Sequence, residues 1–248
     1  MSFNTIEFTA LLLWSLHRVL DDDVEVVVVD NGSSDGSGRL LAEASEAGLC
    51  RLLANDENTH HGPALNQAMG ELVEQPTPPR YVWILDSDVV IRRGDVLREA
   101  LAVAGSGAAI VGERHWDPWH EMHRLELYSL LIDPMQIWHP GAPTFRDDGD
   151  PSFELLAAAQ QAGLAAENFP FAADGYLIHR GRASLAGVVT SDDRSHPLYE
   201  WALEHHAPHF GGIPGARERY ESILTRFRSE VGALDGPSLI AACESPPT

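Results

Sequence analysis

The feature that most restricts this chain is Val24-Glu-Val-Val-Val-Val29, a run that is β-branched and almost wholly apolar. Such a run is the mark of a strand buried on both faces, which places it inside a parallel sheet with helices above and below. Its surroundings repeat the pattern. Ile6, Ala10, Leu13, Leu16 and Leu20 recur at helical spacing before it. After it come a turn at Asn31–Gly38, a helix over Arg39–Ala47 stopped by Gly48, a strand over Leu49–Ala54 and a helix over Pro63–Glu74 with Pro in its first turn. Tyr81-Val-Trp-Ile-Leu85 is a further buried strand, Asp95–Ala104 a helix and Ala108–Val111 a strand. Alternating β and α units predict an α/β fold built on a mainly parallel sheet flanked by helices.

The order weakens after Gly112. Helices are expected at Ser152–Ala162, Leu198–His206 and Ala216–Val231, with strand-like pieces at Phe169–Phe171 and Tyr176–His179. A chain of 248 residues, 44% hydrophobic, supports one sizeable core. The reading is a single domain over residues 1–243 with an irregular C-terminal half. It divides into an orderly half over residues 1–112, a second part over 113–190 and C-terminal helices over 191–243, followed by a frayed tail at 244–248.

Composition removes several classes of function. Seventeen basic residues, all Arg, stand against 37 acidic ones, for a net charge of −20. That charge repels phosphate backbones and argues against a nucleic-acid partner. A polyanionic small ligand remains compatible if a divalent cation neutralises it locally. Cys50 and Cys243 have no metal-ligand spacing and read as reduced thiols. The apolar run Ala10–Trp14 is far short of a membrane span and carries no signal-peptide features, so the expected location is cytoplasmic, with peripheral membrane contact left open.

Chemistry concentrates where strands end, since ligands of such sheets sit outside the carboxyl ends of the strands. Val29-Asp30-Asn31-Gly32-Ser33-Ser34-Asp35-Gly36 puts a carboxylate at the end of the first buried strand. There it is able to accept the imide N–H of a pyrimidine, while glycines let backbone approach the ring. An ordinary polar turn is the other reading. No Gly-x-Gly-x-x-Gly follows, which argues against a dinucleotide site. Asp86-Ser87-Asp88 ends the strand Tyr81–Leu85, and two carboxylates two residues apart suit one Mg²⁺ or Mn²⁺ and a diphosphate. Asp21/Asp23 and Asp148/Asp150 share that spacing, but only Asp86/Asp88 leaves a hydrophobic strand inside a βα repeat.

Three segments in order carry a resemblance: Val26–Gly36, Asn58-Thr-His-His-Gly-Pro-Ala-Leu-Asn66 and Trp83-Ile-Leu-Asp-Ser-Asp-Val-Val90. Together they resemble the family 2 glycosyltransferases of GT-A (nucleotide-diphospho-sugar transferase) fold, from about Asn4 to Leu97 and more faintly to about Gly187. The resemblance implies a metal-dependent enzyme, using Mn²⁺ or Mg²⁺, that moves a sugar from a UDP- or dTDP-type donor to a glycan or small-molecule acceptor, with inversion. It implies that Asp30 reads the base, Asp86 contacts the ribose or diphosphate and Asp88 holds the metal. Asn58, His61, Gly62 and Asn66 would pass beside the donor, although His60 and His61 read equally well as solvated loop histidines. His179, at the end of Tyr176-Leu-Ile-His179, matches a third metal ligand, and Arg180 with Arg182 would meet the pyrophosphate.

Inverting members of the family use a carboxylate to deprotonate the acceptor hydroxyl. Phe145-Arg-Asp-Asp-Gly-Asp-Pro-Ser-Phe-Glu154 offers Asp147, Asp148, Asp150 and Glu154. Asp148 and Asp150 rank together as the base, with helix capping the other role for Asp150. The cluster His115-Trp-Asp-Pro-Trp-His-Glu-Met-His123 reads as a packed loop, or else as the lining of an acceptor cleft.

One departure stands out. Family members begin with an apolar strand, whereas only Met1-Ser-Phe-Asn4 precedes the first helix. Its loss would leave backbone groups of the neighbouring strand unpaired, so the expectation is a start further upstream, another segment in its place, or a degenerate relative. This keeps a non-catalytic scaffold in view as the alternative function. A sugar-nucleotide nucleotidyltransferase is a weaker one, because no Gly-rich phosphate loop with a basic residue is found near the N-terminus.

Overall fold

The computed structural model describes residues 1–20, 24–117, 121–138, 145, 151–181, 183, 188, 192, 194–195, 199–200 and 215–245. The first βα repeats fold as the periodicity predicts. Helix α1 spans Ile6–Val19, strand β1 Val27–Asn31, α2 Ser37–Glu46, β2 Arg51–Asn55, α3 His61–Val73, β3 Val82–Leu85, β4 Val89–Ile91 and α4 Val96–Ala104. Beyond them lie β5 Ile110–Asp117, β6 Met122–Ile132, the single-turn α5 Pro134–Ile137, α6 Phe153–Gln161, β7 Ala166–Asn168, β8 Leu177–His179, α7 Ala216–Val231 and α8 Gly236–Glu244.

The strand pairing corrects the expectation of a mainly parallel sheet. Among the described residues, β1–β2 and β5–β7 pair in parallel, while β3–β6, β5–β6 and β4–β8 are antiparallel. The physical cause is the stretch after Gly112, expected to be irregular: it forms a long hairpin, β5 turning back as β6, and hairpin partners are necessarily antiparallel. The packed loop expected at His115–His123 is the far end of that hairpin, apart from 118–120, which lie outside the described residues. The strand expected at Phe169–Phe171 falls three residues earlier, as β7. Pro170 lacks the N–H that a ladder needs, and the chain turns there, with the Phe171 N–H donating to the Phe169 carbonyl at 2.9 Å. The helix expected at Leu198–His206 lies largely outside the described residues.

The chain forms two compact units. The first comprises residues 1–58, 87–94 and 175–248, and the second residues 59–86 and 95–174. Each has its own apolar core. In the first unit Leu11, Leu13 and Trp14 of α1 pack with Leu40 and Leu41 of α2, Val90, Ile178, and Tyr220 and Phe227 of α7. In the second, Leu65 and Met69 of α3 pack with Ile84, Ile110, Leu130, Phe145 and Leu155. Helix α7 is fixed to α1 by Trp14 against Phe227 (ring centroids 5.8 Å apart) and by ion pairs Arg18–Glu230 at 3.3 Å and Arg228–Glu7 at 2.6 Å.

Beside β1, the place of the expected leading strand is taken at one position by Ser2. The Ser2 N–H donates to the Val29 carbonyl at 2.8 Å and the Asn31 N–H to the Ser2 carbonyl at 2.9 Å, a parallel bridge opposite Asp30. Backbone groups at the carboxyl end of β1 are therefore paired, which is what a strand ending near a ligand site requires.

Candidate metal and donor site

Asp88 is the most constrained polar residue of the site. It directly precedes β4, whose antiparallel pairing sets Val89 opposite His179 of β8. This register brings the His179 Nε2 to 3.5 Å from Asp88 Oδ1. The other carboxylate oxygen accepts from the Ala183 N–H at 3.2 Å, and the Asp88 carbonyl accepts from the Arg180 N–H at 3.1 Å. Only 4% of Asp88 is exposed. Burial alone pushes its carboxyl upward, but the charge and hydrogen bond of His179, the Ala183 N–H and the charge of Arg180 outweigh it. The net shift is downward, so Asp88 is held as a carboxylate.

Asp86 lies two residues back along the chain, at the end of β3, where its N–H donates to the Tyr128 carbonyl at 3.1 Å. Asp86, Asp88 and His179 each present one ligand atom, and these atoms lie within 4.8 Å of one another. Two carboxylates and an imidazole are a donor set for a hard or borderline divalent ion such as Mn²⁺ or Mg²⁺. Arg180 adds a cation: its guanidinium lies 4.3 Å from the Phe8 ring centroid, and its buried Nη1 has no hydrogen-bond partner among the described residues. An N–H left in that state is suited to an anionic oxygen.

Asp30 ends β1 and is nearly enclosed, 4% exposed. Its Oδ1 accepts from the Ser33 hydroxyl at 2.6 Å and its Oδ2 from the Ser33 N–H at 3.4 Å. Asn58 accepts from the Asn31 side chain at 2.9 Å, and Asn55 donates to Asn31 Oδ1 at 3.0 Å, a chain of amides behind the β1 turn. Gly32 has φ +76°, and a Cβ there would come within 2.7 Å of the Glu57 backbone, so only glycine lets the two loops meet. His61 opens α3 with Nε2 3.7 Å from Asp86 Oδ1, and Gly62 is buried in the same turn.

Asn66, expected to pass beside the donor, lies on α3. Its side chain brackets Phe145, donating to the Phe145 carbonyl at 2.9 Å and accepting from the Phe145 N–H at 3.2 Å. Asp147, Asp148 and Asp150 lie outside the described residues, as does Arg182, while Glu154 sits in the first turn of α6.

Sequence reasoning missed a group of buried hydroxyls. Ser2 and Thr5 each lie within 3.1 Å of the Thr9 hydroxyl, at 3.0 and 3.1 Å, and Thr5 donates to Ser87 at 3.4 Å. Ser87 is the middle residue of the acidic turn, so this network supports it from α1. The only signal available was Thr5 and Thr9 at i, i+4 on one helix face, a pattern too common to single out.

Asp86, Asp88 and His179 at the exits of β3 and β8 thus form a donor set able to hold a divalent ion on an α/β fold. The sequence profile of glycosyl transferase family 2 matches residues 1–140, and the chain belongs to that family. No curated protein sequence matches the chain significantly. Among solved structures, the mannosyltransferase PcManGT from Pyrobaculum calidifontis, in complex with GDP-Man and Mn²⁺, is similar over 97% of this chain and 71% of its own, at 17% identity and a TM-score of 0.54. TarS residues 1–349 from S. aureus, in complex with UDP, is similar over 98% of this chain and 88% of its own, at 14% identity and a TM-score of 0.52. At these identities the likeness is one of fold, and the shared fold is that of the GT-A glycosyltransferases. The protein is a glycosyltransferase by family. No helix among the described residues is long and apolar enough to cross a membrane.

Proposed function

We propose that this glycosyltransferase moves a sugar from a UDP- or dTDP-type donor to a glycan or small-molecule acceptor, with inversion at the anomeric carbon. The observation that carries the reading is the meeting of Asp86, Asp88 and His179 beside Arg180. Asp88 and His179, with Asp86, would hold Mn²⁺ or Mg²⁺, and a bound divalent ion neutralises charge developing on the departing nucleoside diphosphate. Arg180 would donate its buried N–H to a diphosphate oxygen. Asp30 would accept the pyrimidine imide N–H, and its position at the carboxyl end of β1 supports this. Asn58, His61 and Gly62 line the donor-side loop, and Asn66 supports the segment leading from Phe145 toward the acceptor-side acids. Asp148 or Asp150 would take the acceptor's proton. That PcManGT and TarS were solved with GDP-Man and UDP supports a nucleotide-linked donor.

Calorimetry tests this directly. UDP or dTDP should bind in the presence of Mn²⁺, with GDP weaker. Asp88→Asn should abolish the metal-dependent part, and Asp30→Ala should erase the preference for a pyrimidine. If neither pyrimidine diphosphate binds with Mn²⁺, or if Asp88→Asn binds as well as the wild type, the assignment fails.

A further inference from the structure

Every basic residue of this chain is an arginine, and 37 acidic residues compete for them. Arg18, Arg51, Arg217, Arg226 and Arg228 each face a carboxylate at 3.3 Å or less. Arg180 is placed otherwise. Among the described residues no carboxylate comes within ion-pair distance of its guanidinium, which lies instead over the Phe8 ring, 4.3 Å from the centroid.

The two kinds of partner leave a guanidinium in different states. A carboxylate takes up its in-plane N–H donors and offsets its charge, whereas a ring face attracts the cation and leaves those donors to other acceptors. Arg180 keeps its buried Nη1 in the second state. It also directly follows His179, and its N–H is fixed on the Asp88 carbonyl at 3.1 Å. The side chain therefore starts from two of the metal-binding residues. Phe8, Asp88, His179 and Arg180 all belong to the first compact unit.

Phe8 is itself held in place. It lies in α1, half-buried, with its ring centroid 6.3 Å from that of Tyr220 in α7, which is 1% exposed. Asp88, Arg180, Glu7 and Arg228 all lie near enough to Tyr220 for their charges to act on its hydroxyl. Two carboxylates of this group are able to compete with the ring for Arg180, and both are engaged elsewhere. Glu7 accepts from the Arg228 Nε at 2.6 Å. Asp88 faces His179 at 3.5 Å and accepts from the Ala183 N–H at 3.2 Å. Arg180 is thereby left stacked and charged.

We propose that Phe8 is a positioning residue for donor binding: its ring face holds the Arg180 guanidinium so that its charge and its Nη1 donors stay available to an anionic oxygen of the diphosphate. This rests on the reading of Arg180 as a diphosphate contact, and it adds what keeps that contact available in so acidic a chain.

Calorimetry of the full-length protein with inorganic pyrophosphate and with UDP, each in the presence of Mn²⁺, tests this. Arg180→Met should weaken both ligands about tenfold or more. Phe8→Leu, and Phe8→Met as a second ring-free variant, should weaken both about fivefold, and Phe8→Tyr should bind as the wild type does. In an Arg180→Met background Phe8→Leu should cause no further loss, because the ring acts through the guanidinium. Affinity for Mn²⁺ alone, read by paramagnetic resonance, should be the same with and without the ring. The proposal is overturned if both ring-free variants bind as tightly as the wild type, if Phe8→Leu costs as much again in the Arg180→Met protein, or if Mn²⁺ affinity falls in step. It is also overturned if Arg180→Met binds as the wild type does, which would remove Arg180 from the donor site and leave Asp88 and Asp30 in it. A protein that binds neither ligand with Mn²⁺ overturns it together with the donor reading. Coupled dependence of pyrophosphate binding on Phe8 and Arg180, in a protein that binds UDP no tighter than pyrophosphate, would uphold the role of Phe8 and remove the pyrimidine donor.

Discussion

Two residues beside the site are held at a cost to the fold. Burial pushes the Asp30 carboxyl above its ordinary range; the Ser33 hydroxyl and N–H pull it part of the way back, and Asp35 opposes them. A carboxyl raised by folding favours the native state in its protonated form. Its contribution is whole below the ordinary carboxylate range and is lost as pH rises through the raised value. Asp30→Asn removes that titration, so the variant should melt at a higher temperature than the wild type at pH 7. The gap should close as pH falls toward 4, and melting curves from pH 4 to 8 read it. A gap that widens on acidification would contradict the assignment. His60 is the second case, with φ 68° and ψ 173°, a region open in practice only to glycine. His60→Gly should raise stability by about 1 kcal/mol in denaturant titration, after the added entropy of the unfolded glycine is counted. An unchanged or lower midpoint would show that His60 is unstrained.

At the scale of elements, what the sequence disclosed and what it hid follow from the physics of each piece. Helix α1, β1 and α3 were legible because periodicity, β-branching and Pro63 all act within a few residues. Strand β6 was not, because Met122–Ile132 becomes a strand by pairing with β5 across a hairpin and with β3, which is remote in sequence. Helix α8 carried a local signal that went unread: Asp235 caps it by accepting from the Ser238 N–H at 2.8 Å, with Pro in its first turn. Of the candidate site, Asp86, Asp88 and His179 were named from the sequence, and their closeness depends on the β4–β8 register. The hydroxyls behind Ser87 and the Glu113 carboxylate were beyond reach. Glu113 accepts from the Tyr128 hydroxyl at 2.7 Å and from the Ala172 N–H at 2.6 Å, and no sequence motif marks such a clip. Asp35, read only as part of a polar turn, turns out to serve two helices. Its Oδ2 accepts from the Ile6 N–H at 2.9 Å, at the start of α1, and its Oδ1 from the Ser37 N–H at 2.9 Å, at the start of α2. Asp35→Ala removes both acceptors and should cost about 2 kcal/mol, at about 1 kcal/mol per helix entry. Ser34→Ala, at an exposed neighbour, should stay within about 0.5 kcal/mol. Equal urea midpoints for the two variants would remove Asp35 from this role.

For the molecule as a whole, the excess of 37 acidic over 17 basic residues acts in two opposed ways. It makes a divalent ion, with Arg180, the natural means of admitting a polyanionic donor, because the bare protein repels one. It also sets the native state against itself, since folding concentrates like charges that the unfolded chain keeps apart. Salt screens that repulsion over about 8 Å at physiological strength and less at higher concentration. Salt weakens attractive pairs as well, but 17 arginines can engage only part of the 37 acidic residues, and one such pair is sheltered: the Arg18 side chain facing Glu230 is 7% exposed. Repulsion among exposed carboxylates therefore loses more to screening than these pairs do. The melting temperature should rise steadily from 20 mM to 0.5 M NaCl, and Arg18→Met, which keeps the packing on Trp14 but drops the charge, should shift the curve downward without changing its slope. A melting temperature that falls with NaCl would mean that pairs such as Arg18–Glu230 and Arg228–Glu7, rather than the acidic surface, govern the electrostatics of the fold.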